Sequence, residues 1–218
     1  MNNEKSEAKT AKKSYELFDF VEIIVVAACL VLLLFSLGIR LCRVDGASMS
    51  STLENGQMLL TSNIAYTPKN GDIVVFHQSN NPNKSLNKPL VKRVIALGGQ
   101  QVRIDYSLNG TGNNAYVDMT VFVSNDGVFD ESEIVDETYI DFASLESALA
   151  SKYVSNSVEL FEHGTTQTMT YTVPENMLFV MGDNRYNSDD SRLGVGFVAE
   201  DCVLGKVILR LSPFGKVE

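Results

Sequence analysis

The sequence predicts a mainly β protein with a small α/β insert, preceded by one N-terminal transmembrane helix. Three observations indicate this: a long uncharged apolar run near the N-terminus, several short β-branched segments bounded by turn residues, and an acidic stretch in the middle of the chain. Of the 218 residues, 44% are hydrophobic and 21% are charged. This composition supports a packed core and excludes a disordered chain.

The apolar run covers residues 23–39 and contains no charged side chain. As a helix it spans about 26 Å, close to the ~30 Å hydrocarbon core of a bilayer. A cleaved secretory signal is disfavoured because no small-x-small site follows the run, and a buried core helix is the other alternative. Four lysines precede the run, and Arg40 and Arg43 follow it. The positive-inside rule therefore predicts a cytoplasmic tail at residues 1–19, a single-pass anchor at 20–39 in the cell membrane, and an extracellular remainder.

Five segments after the anchor are predicted to be strands, because β-branched and apolar residues alternate with turn signals there. They are residues 58–62, 71–76, 90–97, 177–181 and 202–211. One helix is predicted at residues 142–153, where apolar residues recur every four positions.

The charge of the chain is concentrated in its middle. The formal net charge is −9, and residues 101–170 contain twelve acidic residues against two basic ones. A nucleic-acid partner is therefore excluded, since phosphate binding needs clustered Lys and Arg. We interpret residues 101–170 as a solvated acidic insert, with a surface for a basic partner as the alternative.

Histidine and cysteine are too few for the common metal and disulfide frameworks. The chain contains His77, His163, Cys29, Cys42 and Cys202, with no Cys-x-x-Cys or His-x-x-x-His spacing. We therefore expect no structural metal, no cofactor and no disulfide framework.

Three short segments carry the residue types that catalysis needs. They are GASMSSTL at residues 46–53, KRVI at 92–95 and GDNRYNSDDSR at 182–192. Taken singly, each has an ordinary structural interpretation: a serine-rich turn, a Lys-Arg pair on a solvated strand face, and a hydrogen-bonded loop.

Taken together, the segments resemble the type I signal peptidases of peptidase family S26, in particular the Gram-positive-like branch. The family's S-M-x-P-T-L segment matches residues 48–53 except at Ser51, and its G-D-I/V-V-x-F strand matches residues 71–76. Its K-R-V-x-G-L-P-G-D segment matches in part from Lys92 onward, and its G-D-N-x-x-x-S-x-D-S-R segment matches residues 182–192 throughout. The resemblance implies a signal-peptidase-type catalytic β domain at residues 40–100 and 171–218, with residues 101–170 as a non-catalytic cap.

The resemblance also implies roles for individual residues. Ser48 is the expected nucleophile and Lys92 the expected general base. A lysine ordinarily titrates near ~10.4, and a useful base titrates near ~7–8, so the amine must be buried. The apolar neighbours of Lys92 on its predicted strand agree with burial.

Supporting roles follow from the same resemblance. Ser188 is expected to hydrogen-bond the Lys92 amine, and Asp190 and Arg192 to form a salt-bridge network with Arg93. Asp183 and Asn184 are expected to hold the loop. Met49 is expected to line a substrate pocket, unless it only packs in the core.

Five positions depart from the family pattern or from some of its members: Ser51, Ala96, Gly98, Gln100 and Gly46. Ser51 and Gly98 stand where proline is usual, and we expect both changes to loosen the backbone. Gly46 stands where some members place an oxyanion-hole serine, so backbone N–H groups are expected to serve instead.

The predicted function is cleavage of signal peptides from exported preproteins at the lipid bilayer, by a Ser-Lys dyad. The substrate is expected to bind as an added strand. Two alternatives stay open: a Ser-Lys peptidase for pilus or conjugation substrates, and a non-catalytic membrane-anchored assembly module. A self-cleaving repressor is disfavoured because no basic domain is present. The sequence leaves the oligomeric state and the preprotein repertoire open.

Overall fold

The computed structural model describes residues 18–33, 36, 38–109, 116–140 and 166–217. The chain divides into two compact units, Met1–Ile39 and Arg40–Glu218. In the first unit, residues 18–33 are helical and solvent-exposed. No helix within the described residues is both long and apolar enough to cross a membrane. The anchor predicted at residues 20–39 stays a prediction, and the predicted tail at 1–19 lies mostly outside the described residues.

The second unit is built from two β-sheets, which confirms the mainly β fold class. The larger sheet has eight strands in the order β1-β2-β10-β3-β4-β8-β9, with β11 paired to β10. Its strands are β1 (Ile39–Arg43), β2 (Met58–Ser62), β3 (Ile73–Phe76), β4 (Leu90–Leu97), β8 (Met177–Met181), β9 (Val198–Ala199), β10 (Val203–Ser212) and β11 (Phe214–Gly215).

The five predicted strands are confirmed as β2, β3, β4, β8 and β10, with bounds that differ by two residues at most. Short 3-10 helices at Lys84–Leu86, Glu131–Glu133 and Glu200–Cys202 lie in the connections. The helix predicted at residues 142–153 lies outside the described residues.

The smaller sheet is formed by the acidic insert and has the order β6-β5-β7. Its strands are β5 (Gln101–Asn109), β6 (Tyr116–Ser124) and β7 (Thr166–Thr172). Val102 and Ile104 alternate with polar residues along β5 and are fully buried, as expected of a strand with one face toward a core.

The two sheets share a hydrophobic core. Ile95 and Ala96 of β4 and Phe179 of β8 belong to the same buried cluster as Val102 of β5 and Val121 of β6. The insert is therefore packed against the strands of the larger sheet and is not a separate surface appendage.

Two neighbouring strands of the larger sheet position the candidate site. β4 carries Lys92 and Arg93 at its centre and is paired on one side with β3 and on the other with β8. The segment of residues 182–192 leaves the end of β8, and the serine segment precedes β2.

Candidate active site

The amine of Lys92 lies beside the hydroxyl of Ser48. The distance from Lys92 Nζ to Ser48 Oγ is 2.6 Å. Lys92 is 3% exposed and lies opposite Val74 on the central strand β3. Within the described residues, no carboxylate approaches Lys92 closely enough to form an ion pair.

Burial lowers the pKa of Lys92 to about 8, against the opposing charges of Asp190, Asp189 and Asp183, while Arg192 adds to the lowering. An amine with this pKa is largely neutral in mildly alkaline solution. A neutral amine at hydrogen-bond distance from a hydroxyl is able to accept its proton.

The serine segment is a compact turn held by its own backbone. Ser50 N donates to Ala47 O at 3.1 Å, and Leu53 N donates to Met49 O at 2.7 Å. Met49 and Leu53 are buried, so the turn is anchored on its inner side while Ser48 stays partly exposed.

Several backbone N–H groups of this turn have no hydrogen-bond partner among the described residues, and the amide of Ser48 is one of them. Among the described residues, the amide of Ser48 makes no hydrogen bond, whereas the amide of Gly46 donates to Asn55 Oδ1 at 3.0 Å. The Ser48 amide is therefore available to a substrate oxygen, and the Gly46 amide is engaged in holding the turn.

The loop after β8 holds the serine turn from the opposite side. Asn184 N donates to Ser48 O at 3.1 Å, and Asn184 Nδ2 donates to Ala47 O at 3.0 Å. A β carbon at position 182 would overlap both the Ser48 carbonyl oxygen and the Ser188 hydroxyl, so only glycine fits there.

Arg93 and Asp183 form a buried bidentate ion pair next to the dyad. Arg93 Nε and Nη2 donate to the Asp183 carboxylate at 2.9 and 2.7 Å. Thr52 Oγ1 also donates to Asp183 Oδ2, at 2.6 Å. Paired geometry of this kind compensates for the removal of two charges from water.

Asp190 and Arg192 form a second buried pair. Arg192 Nε and Nη2 both donate to the Asp190 carboxylate, each at 2.8 Å, and Gly182 N donates to Asp190 Oδ2 at 3.0 Å. Burial alone would raise the pKa of Asp190, but the Arg192 guanidinium holds it below its ordinary value. The predicted network therefore differs in its partners: Arg93 pairs with Asp183, because β4 brings it beside the start of the loop.

The family described as signal peptidase, peptidase S26, matches residues 17–212. The chain belongs to this family. It is thus a hydrolase, related to proteins named signal peptidase I.

Similar proteins come from Bacillus and Staphylococcus, which supports the Gram-positive-like branch. The chain is 30% identical to signal peptidase I S of Bacillus subtilis, over 98% of this chain and 97% of that protein. It is 30% identical to signal peptidase I U of the same organism, over 80% and 76% of the two chains. Signal peptidase IB of Staphylococcus aureus is 25% identical, over 92% of each.

A signal peptidase I of Enterococcus faecalis V583, solved by crystallography, is 29% identical to the chain. The match covers 65% of this chain and 97% of that one, with a TM-score of 0.39.

Ser188 differs from the role that the family resemblance implies. Its hydroxyl is buried beside Gly182 and forms no hydrogen bond of ordinary geometry with the described residues, although it lies close enough to Asp190 to help lower the pKa of that carboxyl. The expected hydrogen bond to the Lys92 amine is therefore not formed, and the hydroxyl lies beside Gly182 and Asp190 instead.

Met49 is 1% exposed and belongs to a core cluster with Leu53, Leu59 and Val75. Of the two interpretations of Met49, the structure favours core packing over a pocket wall.

The two missing family prolines have a structural explanation. Ser51 has φ = +87°, a value that the proline ring cannot adopt. At Gly98, a β carbon would lie 2.8 Å from Asn176 N and 3.0 Å from Pro174 O. The expectation that both positions loosen the backbone is therefore wrong at Gly98, which is closely packed, and incomplete at Ser51, whose conformation excludes proline.

Four further residues belong to this site and were not identified from the sequence. Thr52 and Arg185 lie inside the family's motifs, so their position was a usable signal. Glu137 and Tyr139 lie in the insert, where composition alone gave no sign of a contact with the loop. Within the described ranges, no group of three His, Cys, Asp or Glu side chains has metal-binding geometry.

Proposed function

We propose that this chain is a membrane-bound serine endopeptidase that cleaves N-terminal signal peptides from exported preproteins. The observation that carries the proposal is the 2.6 Å contact between Nζ of the buried Lys92 and Ser48 Oγ. The names of the relatives from Bacillus and Staphylococcus support signal peptides as the substrate class.

In the first half of the reaction, Ser48 Oγ attacks the scissile carbonyl carbon while Lys92 Nζ takes the hydroxyl proton. The resulting ammonium then gives this proton to the leaving amine of the mature protein. The Ser48 amide, which has no partner among the described residues, donates to the oxyanion. The product of this half is an ester between Ser48 and the signal peptide.

In the second half, Lys92 takes a proton from water, and the hydroxide attacks the ester carbonyl. The Lys92 ammonium returns the proton to Ser48 Oγ as the ester bond breaks. No metal or organic cofactor takes part in these steps.

The supporting groups act on position and charge. The two buried ion pairs, Arg93 with Asp183 and Asp190 with Arg192, leave Lys92 without a carboxylate of its own. Asn184 and Gly182 hold the carbonyl of Ser48 against the loop. The amine therefore faces the hydroxyl, and burial favours its neutral form by lowering its pKa to about 8.

The proposal includes membrane attachment through residues 20–39, with the N-terminus in the cytoplasm. It is supported by the uncharged apolar run and by the lysines that precede it. Attachment would confine the enzyme and the apolar part of the signal peptide to one layer, which raises their effective concentration.

The test is cleavage of a preprotein with an Ala-x-Ala site by purified Ser48→Ala and Lys92→Met variants of the full chain. We expect both to lose cleavage, since each removes one half of the dyad. Ser62→Ala, at the end of β2 and outside the site, is the control and should cleave normally. Cleavage by either dyad variant at the rate of the control would rule out the proposed chemistry.

A further inference from the structure

The segment at residues 134–140 connects the acidic insert with the loop that holds Ser48. Ile134 pairs with Phe122 of β6, and Val135 N donates to Val121 O at 2.9 Å. Ile140 is buried in the core cluster that also contains Met181 and Tyr186. The backbone of this segment is therefore anchored at both ends, and the residues between the anchors have a defined position.

Two side chains of this segment bind one buried arginine of the loop. The side chain of Arg185 is fully buried and forms an ion pair with Glu137. Arg185 Nη2 donates to Tyr139 Oη at 2.9 Å. A buried guanidinium is tolerated only with such partners, since an uncompensated charge in the interior is costly.

Tyr139 also contacts the arginine next to Lys92. The guanidinium of Arg93 lies over the Tyr139 ring, 3.7 Å from its centroid, in cation–π geometry. One tyrosine thus binds Arg185 through its hydroxyl and Arg93 through its ring face.

The backbone between these two arginine contacts holds the turn that carries the candidate nucleophile. Arg93 is paired with Asp183, and the neighbouring residue Asn184 donates its amide to Ser48 O. Arg192 Nη2 donates to Arg185 O at 2.6 Å, so the loop is held on its other side as well. A displacement at Arg185 would therefore reach Ser48 through a single residue, Asn184.

We propose that Glu137 and Tyr139 of the acidic insert are positioning residues, which hold Arg185 and Arg93 so that the loop keeps Ser48 against Lys92. The inference rests on the proposed function and deepens it, because it gives the insert a part in the reaction. Neither side chain touches the reacting atoms. Their loss therefore reduces kcat and leaves KM nearly unchanged.

The experiment compares Tyr139→Phe, Tyr139→Leu and Glu137→Gln in the full chain. Tyr139→Phe removes one hydrogen bond and keeps the stacked ring, so we expect kcat to fall about tenfold at most. Tyr139→Leu removes both contacts, and a misplaced reacting group costs about 10²-fold. Glu137→Gln removes the charge that compensates Arg185, with a kcat loss between these two. KM should stay within about twofold in all three, since neither side chain touches the reacting atoms.

Tyr66→Phe is the matched control. The Tyr66 hydroxyl, like that of Tyr139, bonds a charged side chain: it donates to Asp72 Oδ2 at 2.8 Å. It lies outside the network around the loop, so its loss tests the general effect of removing a tyrosine hydroxyl. We expect an unchanged kcat. An equal kcat loss in Tyr66→Phe and Tyr139→Phe would mean that the effect is general destabilisation, and would overturn the inference.

A second readout does not depend on activity. The Asn184 amide, which donates to Ser48 O, should exchange with deuterium about tenfold faster in Tyr139→Leu and at the wild-type rate in Tyr66→Phe. Unchanged exchange at Asn184 in Tyr139→Leu would overturn the inference, as would faster exchange with an unchanged kcat. If Ser48→Ala still cleaves, the proposed function fails, and the exchange rate alone decides whether the insert holds the loop.

Discussion

Two lysines of the larger sheet lie in very different surroundings. Lys92 on β4 and Lys206 on β10 are both opposite Val74, which lies on the strand between them. Lys92 is 3% exposed and faces Ser48 without an ion pair among the described residues. The side chain of Lys206 is 44% exposed and forms an ion pair with Asp72.

The difference shows what makes a lysine usable as a base. Burial lowers the pKa of Lys92 to about 8, while the nearby carboxylates of Asp183 and Asp190 are held by arginines. Lys206 is open to solvent and is paired with a carboxylate of its own, that of Asp72. The two lysines occupy nearly the same position in the sheet, so it is their surroundings that decide whether the amine can serve as a base.

The largest effect should come from replacing Lys92, and replacing Lys206 provides the comparison. Lys92→Met should lower kcat/KM by about 10³-fold or more, as expected for loss of a general base. Lys206→Met should leave kcat/KM unchanged and cost about 1 kcal/mol of stability at most, because the ion pair is partly exposed. Preprotein cleavage and thermal unfolding measure the two effects. Equal activities of the two variants would remove the distinction between the lysines.

The next effect concerns the glycine on which the Ser48 carbonyl rests. Gly182→Ala should lower kcat by about 10²-fold, because a methyl group there separates the serine turn from the loop. Gly215→Ala is the control, since a β carbon there meets only the end of the Arg210 side chain at an ordinary distance. A fully active Gly182→Ala enzyme would contradict the close contact seen in the structure.

The pH dependence tests the burial of Lys92 directly. In the proposed mechanism the neutral amine is the active form, so kcat/KM should rise about tenfold per pH unit below the pKa of Lys92 and level off above it. With a pKa of about 8, the rising part of the pH–rate profile ends in the mildly alkaline range. If the rising part of the profile extended to the pKa of an ordinary exposed lysine, the amine of Lys92 would be solvated.

Asp189→Asn sharpens the same measurement. The Asp189 charge raises the pKa of Lys92, and its Oδ1 accepts from Gly194 N at 2.8 Å, a bond that asparagine is able to keep. Because the variant lacks this charge, the rising part of its pH–rate profile should lie at lower pH, with little loss of stability.

The smallest effect is expected at Ser188. Its hydroxyl forms no hydrogen bond of ordinary geometry with the described residues, so Ser188→Ala should change kcat by less than about tenfold and should not lower stability. A larger loss in a correctly folded variant would show that the hydroxyl turns to Lys92 during the reaction, as the family resemblance implies.

Much of the larger sheet was predictable because its strands have strong local signals. The runs at β2, β4 and β8 are rich in β-branched and apolar residues and were predicted at their observed bounds. The smaller sheet was missed, although Val102, Ile104 and Tyr106 alternate with polar residues along β5. The acidic composition of the insert hid this alternation, since it suggested a solvated surface.

The sequence by itself determined the fold class and the family, because both depend on residue types at short and fixed spacing, and the pairing of Ser48 with Lys92 came only as what the family resemblance implies. Only the tertiary structure decided that Arg93 pairs with Asp183, that Met49 is core, and that Tyr139 contacts Arg185 in the loop of residues 182–192. The physical reason is that both Asp183 and Asp190 are suitable partners in chemical terms. Strand register and packing select Asp183. Contacts between residues more than forty positions apart produce no periodic pattern in the sequence from which they could be predicted.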